Sequence, residues 1–170
     1  MHGPVKGAGR LTRLALLTAV ALTIFMAEAQ LPVLTAIPGI KLGLANIVTV
    51  YAVFAMGPGD ALLMLSGRIF LGAVFSGQMM TLIYSAAGGV LSWLALCLLG
   101  RLLTPEQIWL ASPAAAVCHN LGQLLAAAVV MRTCAVMAYL PYLTLAAVLA
   151  GLFTGVAAQA LIKQLNKLQK

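Results

Sequence analysis

The stretch LALLTAVALTIFMA, residues 14–27, carries no charged residue and is apolar on every face. The run LLAAAVVM, residues 124–131, has the same character. A transmembrane β-strand would alternate apolar and polar positions, and neither run does. In lipid every backbone polar group has to be satisfied internally, which leaves the α-helix as the structure that both runs predict.

Composition extends this prediction to the whole chain. Of its 170 residues, 63% are hydrophobic and 8% are charged, and the mean hydropathy is +1.07. The acidic residues are Glu28, Asp60 and Glu106. With so few charged residues, the chain cannot cover its surface with the polar side chains that a water-soluble protein needs. At about 20 residues per span, the chain has room for about six transmembrane helices in one domain, residues 1–170. The predicted fold class is an all-α integral membrane bundle.

Breaks in the apolar pattern divide the chain into spans. They occur at Pro38-Gly39, at 57–60, at 76–78 and at 100–107. The spans are predicted at about residues 14–36, 42–56, 61–75, 80–99, 112–131 and 139–163. Residues 1–12 and 164–170 are then terminal tails.

The positive charges predict the orientation of the bundle. One side receives Lys6, Arg10, Arg13, Arg101, Lys163, Lys167 and Lys170, and the other receives Lys41 and Arg132. Because loops rich in Lys and Arg stay in the cytoplasm, both termini are predicted to be cytoplasmic. The net charge of +7 is therefore a topology signal that adds attraction to anionic membrane lipid. No aromatic residues accompany the basic clusters, so no nucleic acid partner is expected.

The amino-terminal region admits a second interpretation. Three basic residues, an apolar run and Ala27-Glu28-Ala29 also resemble a cleavable secretory signal. The apolar stretch resumes after Glu28 and continues to Ile37, which favours a retained helix. An intact mass measurement separates the two cases.

The chain lacks the residue patterns of an enzyme that acts alone. It has no Gly-rich phosphate loop for ATP, so any ATP-driven work needs a partner. Cys97, Cys118 and Cys134 have no paired spacing for zinc, and the isolated acids form no magnesium site. His119 has no nucleophile elbow beside it. We therefore expect no catalysis, no metal and no cofactor.

Polar residues inside spans are costly and tend to mark functional sites. The break PGIKLGLAN, residues 38–46, places Lys41, Asn46 and free backbone N–H groups at the start of the second helix, an arrangement that attracts anions. Gly43 would let a ligand approach the backbone. Alternatively, Lys41 extends to the lipid headgroups.

Arg68 is the second candidate, with Gly72 and Ser76 following at four-residue spacing. Its planar guanidinium suits a carboxylate or phosphate on a ligand. The alternative is a structural ion pair with Glu28 of the first helix.

A third group lies within one turn of the fifth helix. His119, Asn120 and Gln123 can all form hydrogen bonds, and His119 shares a face with Gln123. Together they predict the lining of a polar site, although a lone intramembrane histidine usually satisfies a neighbouring helix.

Two pairs of small residues at four-residue spacing permit close helix approach. They are Ala15 with Ala19 on the first helix and Gly151 with Gly155 on the last. Most such pairs pack within one bundle.

Four segments together resemble the Gx transporter family, called in older usage component I of heptaprenyl diphosphate synthase. They are PGIKLGLAN (38–46), Gly67-Arg68 with Gly72, YSAAGG (84–89) and HNLGQ (119–123). The likeness covers about residues 11–165. In arrangement this family is similar to the S components of energy-coupling factor (ECF) transporters, six-helix membrane proteins that bind vitamins and related micronutrients.

The resemblance implies partners as well as a function. Ala15 and Ala19 match the small-residue motif through which S components meet the transmembrane T subunit, and two cytoplasmic ATPase subunits supply the energy. Substrate binds near the outer face under the loop after the first helix, here Pro38 to Lys41, and the protein topples in the bilayer to release it. The expected location is the bacterial cytoplasmic membrane.

We therefore expect the substrate-binding subunit of an ECF-type importer for a small anionic or amphipathic molecule. Charge complementarity is assigned to Lys41 and Arg68. Hydrogen bonds are assigned to Asn46, His119, Asn120 and Gln123, and room for the ligand to Gly43 and Gly72.

The synthase name suggests an alternative. Prenyl diphosphate chemistry needs aspartate-rich pairs to hold magnesium, and Asp60 is the one aspartate here. The chain would then be a non-catalytic membrane partner of a soluble prenyl diphosphate synthase. A purely structural subunit, with every polar residue engaged in packing, is the third alternative.

Overall fold

The computed structural model describes residues 7–30, 43–104 and 107–168. Within these ranges the regular elements are all helical, which confirms the all-α prediction. The α-helices are α1 (Gly7–Glu28), α2 (Asn46–Ala55), α3 (Pro58–Ser76), α4 (Met79–Leu102), α5 (Ile108–Met131) and α6 (Leu140–Leu168), and a 3-10 helix (Cys134–Tyr139) leads into α6.

The distribution of polarity is that of a membrane bundle. Large apolar side chains such as Phe70, Val129 and Phe153 point outward, whereas Arg68, Asn120 and other polar side chains are buried. Within the described ranges, five helices are long and apolar enough to span a bilayer, namely α1, α3, α4, α5 and α6 with its leading 3-10 turn. The chain is thus a multi-pass membrane protein with an apolar exterior and a partly polar interior.

Helix α1 differs most from its predicted span. It begins at Gly7, seven residues before Leu14, and ends at Glu28, eight residues before Ala36. The prediction of one helix reaching Ala36 is wrong, because Ala29 and Gln30 already form a turn. Pro32 gives the physical reason, since it has no N–H to bond the carbonyl of residue 28. The second helix is shorter than its predicted span of 42–56, because it begins only at Asn46. The remaining predicted helices agree within a few residues, and Gly77, with φ 65°, ends α3 at the predicted break.

Helices α1 and α3 run parallel. Arg10 contacts Asp60 near the start of both helices. Further along, a Cβ on Gly67 would lie 3.4 Å from Cγ2 of Thr18. Because both helices point the same way, the chain between them has to cross back, and α2 makes that return. Its 10 helical residues extend only about 15 Å, half of the hydrocarbon layer.

Most of the described basic residues collect at one end of the bundle. That end holds the beginning of α1, the ends of α2 and α4, the beginning of α5 and the end of α6, joined by an apolar core that includes Leu14, Leu96, Ile108 and Ala158. Arg10, Arg13, Arg101, Lys163 and Lys167 belong to these segments, and Arg132 lies at the opposite end after α5. A second apolar core lies toward that opposite end, formed by Tyr84, Leu124, Ala127, Val136 and Leu143.

The two pairs of small residues have different environments. Gly151 and Gly155 allow α6 to pack closely against α5. A Cβ on Gly151 would lie 2.4 Å from Cα of Pro113, and a Cβ on Gly155 would lie 2.7 Å from the carbonyl oxygen of Trp109. Ala15 and Ala19 are exposed on the outside of α1. The glycine pair therefore packs within the bundle, and the alanine pair does not.

Candidate functional site

The site is built around the end of α1, where Glu28 is buried with 6% of its surface exposed. Its Oε1 accepts a hydrogen bond from the Gly43 N–H at 2.6 Å, and its Oε2 accepts one from the Leu44 N–H at 3.0 Å. Gly43 has φ 80°, a conformation that favours glycine. The anion-attracting start of α2 thus holds a carboxylate of the chain itself. The sequence analysis had considered Glu28 as an ion-pair partner for Arg68 but not as an acceptor for these N–H groups.

Arg68 lies in the middle of α3 with 3% of its surface exposed. Its guanidinium is attracted by the Glu28 carboxylate and lies 5.6 Å from the centre of the Phe25 ring, within cation–π range. Its Nε has no hydrogen-bond partner among the residues that the structure describes. A buried arginine at mid-span with an unused donor is a candidate ligand contact.

Gly72 affects the surroundings of Arg68 through the Phe25 ring. A Cβ at this position would lie 2.9 Å from Cε1 of Phe25. The glycine therefore makes room for the aromatic ring that lies beside Arg68. The sequence prediction had assigned that room to the ligand.

His119 and Gln123 lie side by side against α4. A Cβ on Gly88 would lie 3.1 Å from Cε1 of His119 and 2.8 Å from Cγ of Gln123. His119 also meets the start of α2, since a Cβ on Gly43 would lie 3.2 Å from its Cδ2. Within the described part of the chain, Nδ1 of His119 and Oε1 of Gln123 have no hydrogen-bond partner. Gly88 is the residue that sequence reasoning missed, although it lies in the quoted segment YSAAGG.

The charge of Arg68 interacts electrostatically with both Glu28 and His119. This interaction links the residues at the end of α1 with those on α5. We call Glu28, Arg68, His119 and Gln123 the polar cluster. Its members come from α1, α3 and α5, and each is at least nine-tenths buried. Unpaired polar atoms in such surroundings are costly, so the cluster is suited to a small polar molecule that would pair them.

Two predicted site residues form separate contacts. Asn46 exchanges hydrogen bonds with Ser92, from Nδ2 to Oγ at 2.8 Å and from Oγ to Oδ1 at 3.1 Å. Asn120 donates from Nδ2 to the Leu143 carbonyl at 3.0 Å, while its Oδ1 has no partner among the described residues. Both amides thus join neighbouring helices. Thr49, one turn after Asn46, also has a buried hydroxyl without a partner in the described ranges. Lys41 lies outside the described residues.

The described residues bring no three His, Cys, Asp or Glu side chains together in a way that could hold a metal ion. Cys97, Cys118 and Cys134 are free thiols.

Comparison with known proteins identifies the family. The family model described as heptaprenyl diphosphate synthase component I matches residues 17–161, most of the chain. The chain therefore belongs to this family, as its motifs predicted. The match includes Glu28, Arg68, His119 and Gln123 but not Ala15. No curated protein and no solved structure gave a match.

Proposed function

We propose that this member of the heptaprenyl diphosphate synthase component I family is the substrate-binding membrane subunit of an ECF-type importer. It binds a small anionic or amphipathic molecule and carries out no catalysis itself. The observation that carries the proposal is the polar cluster, in which a buried arginine donor, a histidine nitrogen and an amide oxygen lack partners among the described residues. A purely structural subunit would be expected to pair such atoms with one another.

The outer surface of α1 supports the same proposal. Ala15 and Ala19 are exposed on a helix whose other side is packed in the bundle through Leu14, Ala21 and Phe25. Small side chains let another helix approach closely. In the proposed complex this surface receives the T subunit, and two cytoplasmic ATPase subunits provide the energy. We expect both termini to lie in the cytoplasm of a bacterium, because loops rich in Lys and Arg stay on that side of the membrane.

The test is to purify the tagged protein from its native membrane in mild detergent and to identify its partners by mass spectrometry. We expect a T subunit and paired ATPases, and we expect Ala15→Trp or Ala19→Trp to abolish their recovery. Leu149→Trp is the matched control, because Leu149 is also exposed on the apolar surface but lies on α6. Loss of partners with the control as well would contradict an interface at α1.

The family description supports one alternative, a non-catalytic membrane partner of a soluble prenyl diphosphate synthase. The same purification separates the two proposals. Recovery of a synthase without a T subunit or ATPases would favour the alternative. The polar cluster would then need a role in packing or docking.

A further inference from the structure

We propose that Gly88 fixes His119 in the tautomer whose Nδ1 accepts a hydrogen bond, and that the substrate meets α5 with a donor, a hydroxyl or N–H group. The inference rests on the proposed function, because it takes the buried polar atoms of α5 as part of the substrate site. It gives Gly88 a positioning role and assigns a chemical feature to the substrate.

The backbones of α4 and α5 touch at two glycines. A Cβ on Gly122 would lie 2.6 Å from the carbonyl oxygen of Ala87 and 2.8 Å from Cα of Gly88. A Cβ on Gly88 would lie 2.7 Å from the carbonyl oxygen of His119. Small residues permit such close approach of two membrane helices. The backbone of Gly88 is therefore held directly against the turn of α5 that carries His119.

This contact determines which nitrogen of His119 carries the proton. The imidazole donates a hydrogen bond to the backbone of Gly88. Because Nδ1 has no partner within the described ranges, the donor is Nε2. A second proton, on Nδ1, would place a charge inside the bundle, where it is disfavoured. In a neutral imidazole one nitrogen donates and the other accepts, so Nδ1 is a buried acceptor whose lone pair is unused.

In the described part of the chain, the other buried atoms of α5 that lack a partner are acceptors as well. Gln123 follows His119 by one turn and also lies against Gly88, and its Oε1 is unpaired there. Oδ1 of Asn120, whose amide nitrogen bonds the Leu143 carbonyl of α6, is in the same condition. A group that pairs these atoms has to donate.

This requirement narrows the substrate class. A carboxylate or a phosphate dianion has acceptors alone and cannot pair Nδ1 of His119. An anionic substrate would therefore contact α5 through a hydroxyl, amine or amide N–H elsewhere in the molecule. An amphipathic substrate would do so through its polar group.

The tautomer is measured by 15N NMR of the full-length protein, labelled at histidine, in detergent micelles. His2 and His119 are the two histidines of the chain, so the spectrum contains two imidazoles. We expect His119 to show a protonated Nε2 and an unprotonated Nδ1. Gly88→Ala should replace this pattern by a mixture of tautomers, because its Cβ would lie 3.1 Å from Cε1 of His119 and displace the ring. Gly89→Ala is the matched control, since its Cβ would meet Ile69 of α3 and should leave the His119 signals unchanged.

The donor is tested with aniline and toluene, which have the same shape but differ in their N–H groups. Aniline should shift the Nδ1 signal of His119 and leave the His2 signals in place, whereas toluene should leave both in place. Saturation-transfer NMR then compares the affinity of aniline for two variants. His119→Leu should weaken binding about tenfold, and His119→Asn should retain most of it, because an asparagine oxygen can accept in place of Nδ1.

Each part of the proposal has its own contrary result. A proton on Nδ1 of His119, or a tautomer that Gly88→Ala leaves unchanged, would overturn the role of Gly88. If Gly88→Ala does not fold, the wild-type tautomer decides this part. An Nδ1 signal that aniline does not move, or that toluene moves equally, would overturn the donor assignment. The importer proposal is tested separately, because recovery of the T subunit does not depend on the response to aniline.

Discussion

Helix α1 meets α3 through opposite charges at two places, and the two places differ in their exposure to solvent. Near the start of both helices, Nε of Arg10 donates to Oδ1 of Asp60 at 2.9 Å, and the Arg10 side chain is 55% exposed. Further along the two helices, Glu28 and Arg68 are 6% and 3% exposed. Opposite charges of the two helices therefore act on each other once at the surface, as a hydrogen-bonded pair, and once inside the bundle, as an electrostatic attraction.

The difference teaches what each pair contributes. Water and lipid headgroups can replace either partner of an exposed pair, so such a pair adds little to stability. Inside the bundle nothing replaces a lost partner, and an uncompensated charge destabilises the fold strongly. The exposed pair is an auxiliary contact, whereas the buried charges depend on each other and leave a donor unused.

The largest effect is expected when the buried pair is broken on one side. Arg68→Met removes a buried positive charge that the Glu28 carboxylate attracts and should lower the free energy of unfolding by about 3–5 kcal/mol. Titration of the purified protein with sodium dodecyl sulfate measures this loss. The double variant Glu28→Gln/Arg68→Met removes both charges and should be more stable than Arg68→Met alone. A double variant as unstable as the single one would argue that shape, and not charge, connects the two positions.

A smaller loss is expected from filling the space beside the buried pair. Gly72→Ala places a Cβ 2.9 Å from Cε1 of Phe25 and should cost about 1–3 kcal/mol, because the ring has to move away from Arg68. The same titration measures it. An unchanged stability would mean that Phe25 moves freely and does not define the site.

Gly67→Ala is the matched control, because Gly67 also lies against α1. Its Cβ would lie 3.4 Å from Cγ2 of Thr18, an ordinary contact that needs little movement. Since alanine favours the helix over glycine, stability should rise by about 0.5–1 kcal/mol. A loss as large as that of Gly72→Ala would show that the whole α1–α3 contact is equally tight, and would remove the contrast between its two ends.

The smallest effect is expected at the exposed pair. Asp60→Asn should leave the unfolding titration of the protein indistinguishable from that of the wild type, and raising the salt concentration should reduce any remaining difference. A loss comparable to that of Arg68→Met would contradict the distinction between an exposed and a buried pair.

Much of the fold was predictable because lipid imposes simple rules on the sequence. Long apolar runs required helices, and Gly77 and Gly57-Pro58 marked two of their ends. The end of α1 was not predicted, because the residues from Leu31 to Ile37 are apolar and the hydropathy pattern therefore shows no break where the helix ends. The short length of α2 was missed for a similar reason, since hydropathy does not register where a helix gives way to a turn.

The candidate site was predictable in its residue types but not in its pairing. The energetic cost of a polar side chain within a membrane span singled out Arg68 and His119, because such residues usually have a function. Nothing in the linear pattern separated Asn46, which is paired with Ser92, from Gln123, whose Oε1 lacks a partner in the described ranges.

By itself, then, the sequence determined that this protein lies in lipid, where its helices run and which polar residues they carry. These properties follow from local hydropathy and residue spacing. Only the tertiary structure decided that Glu28 folds back onto the start of α2, that Phe25 lies beside Arg68, and that His119 and Gln123 share the surface of Gly88. Those contacts join residues 15 to 43 positions apart in the chain. They depend on how parallel and antiparallel helices are placed beside one another, which no local pattern records.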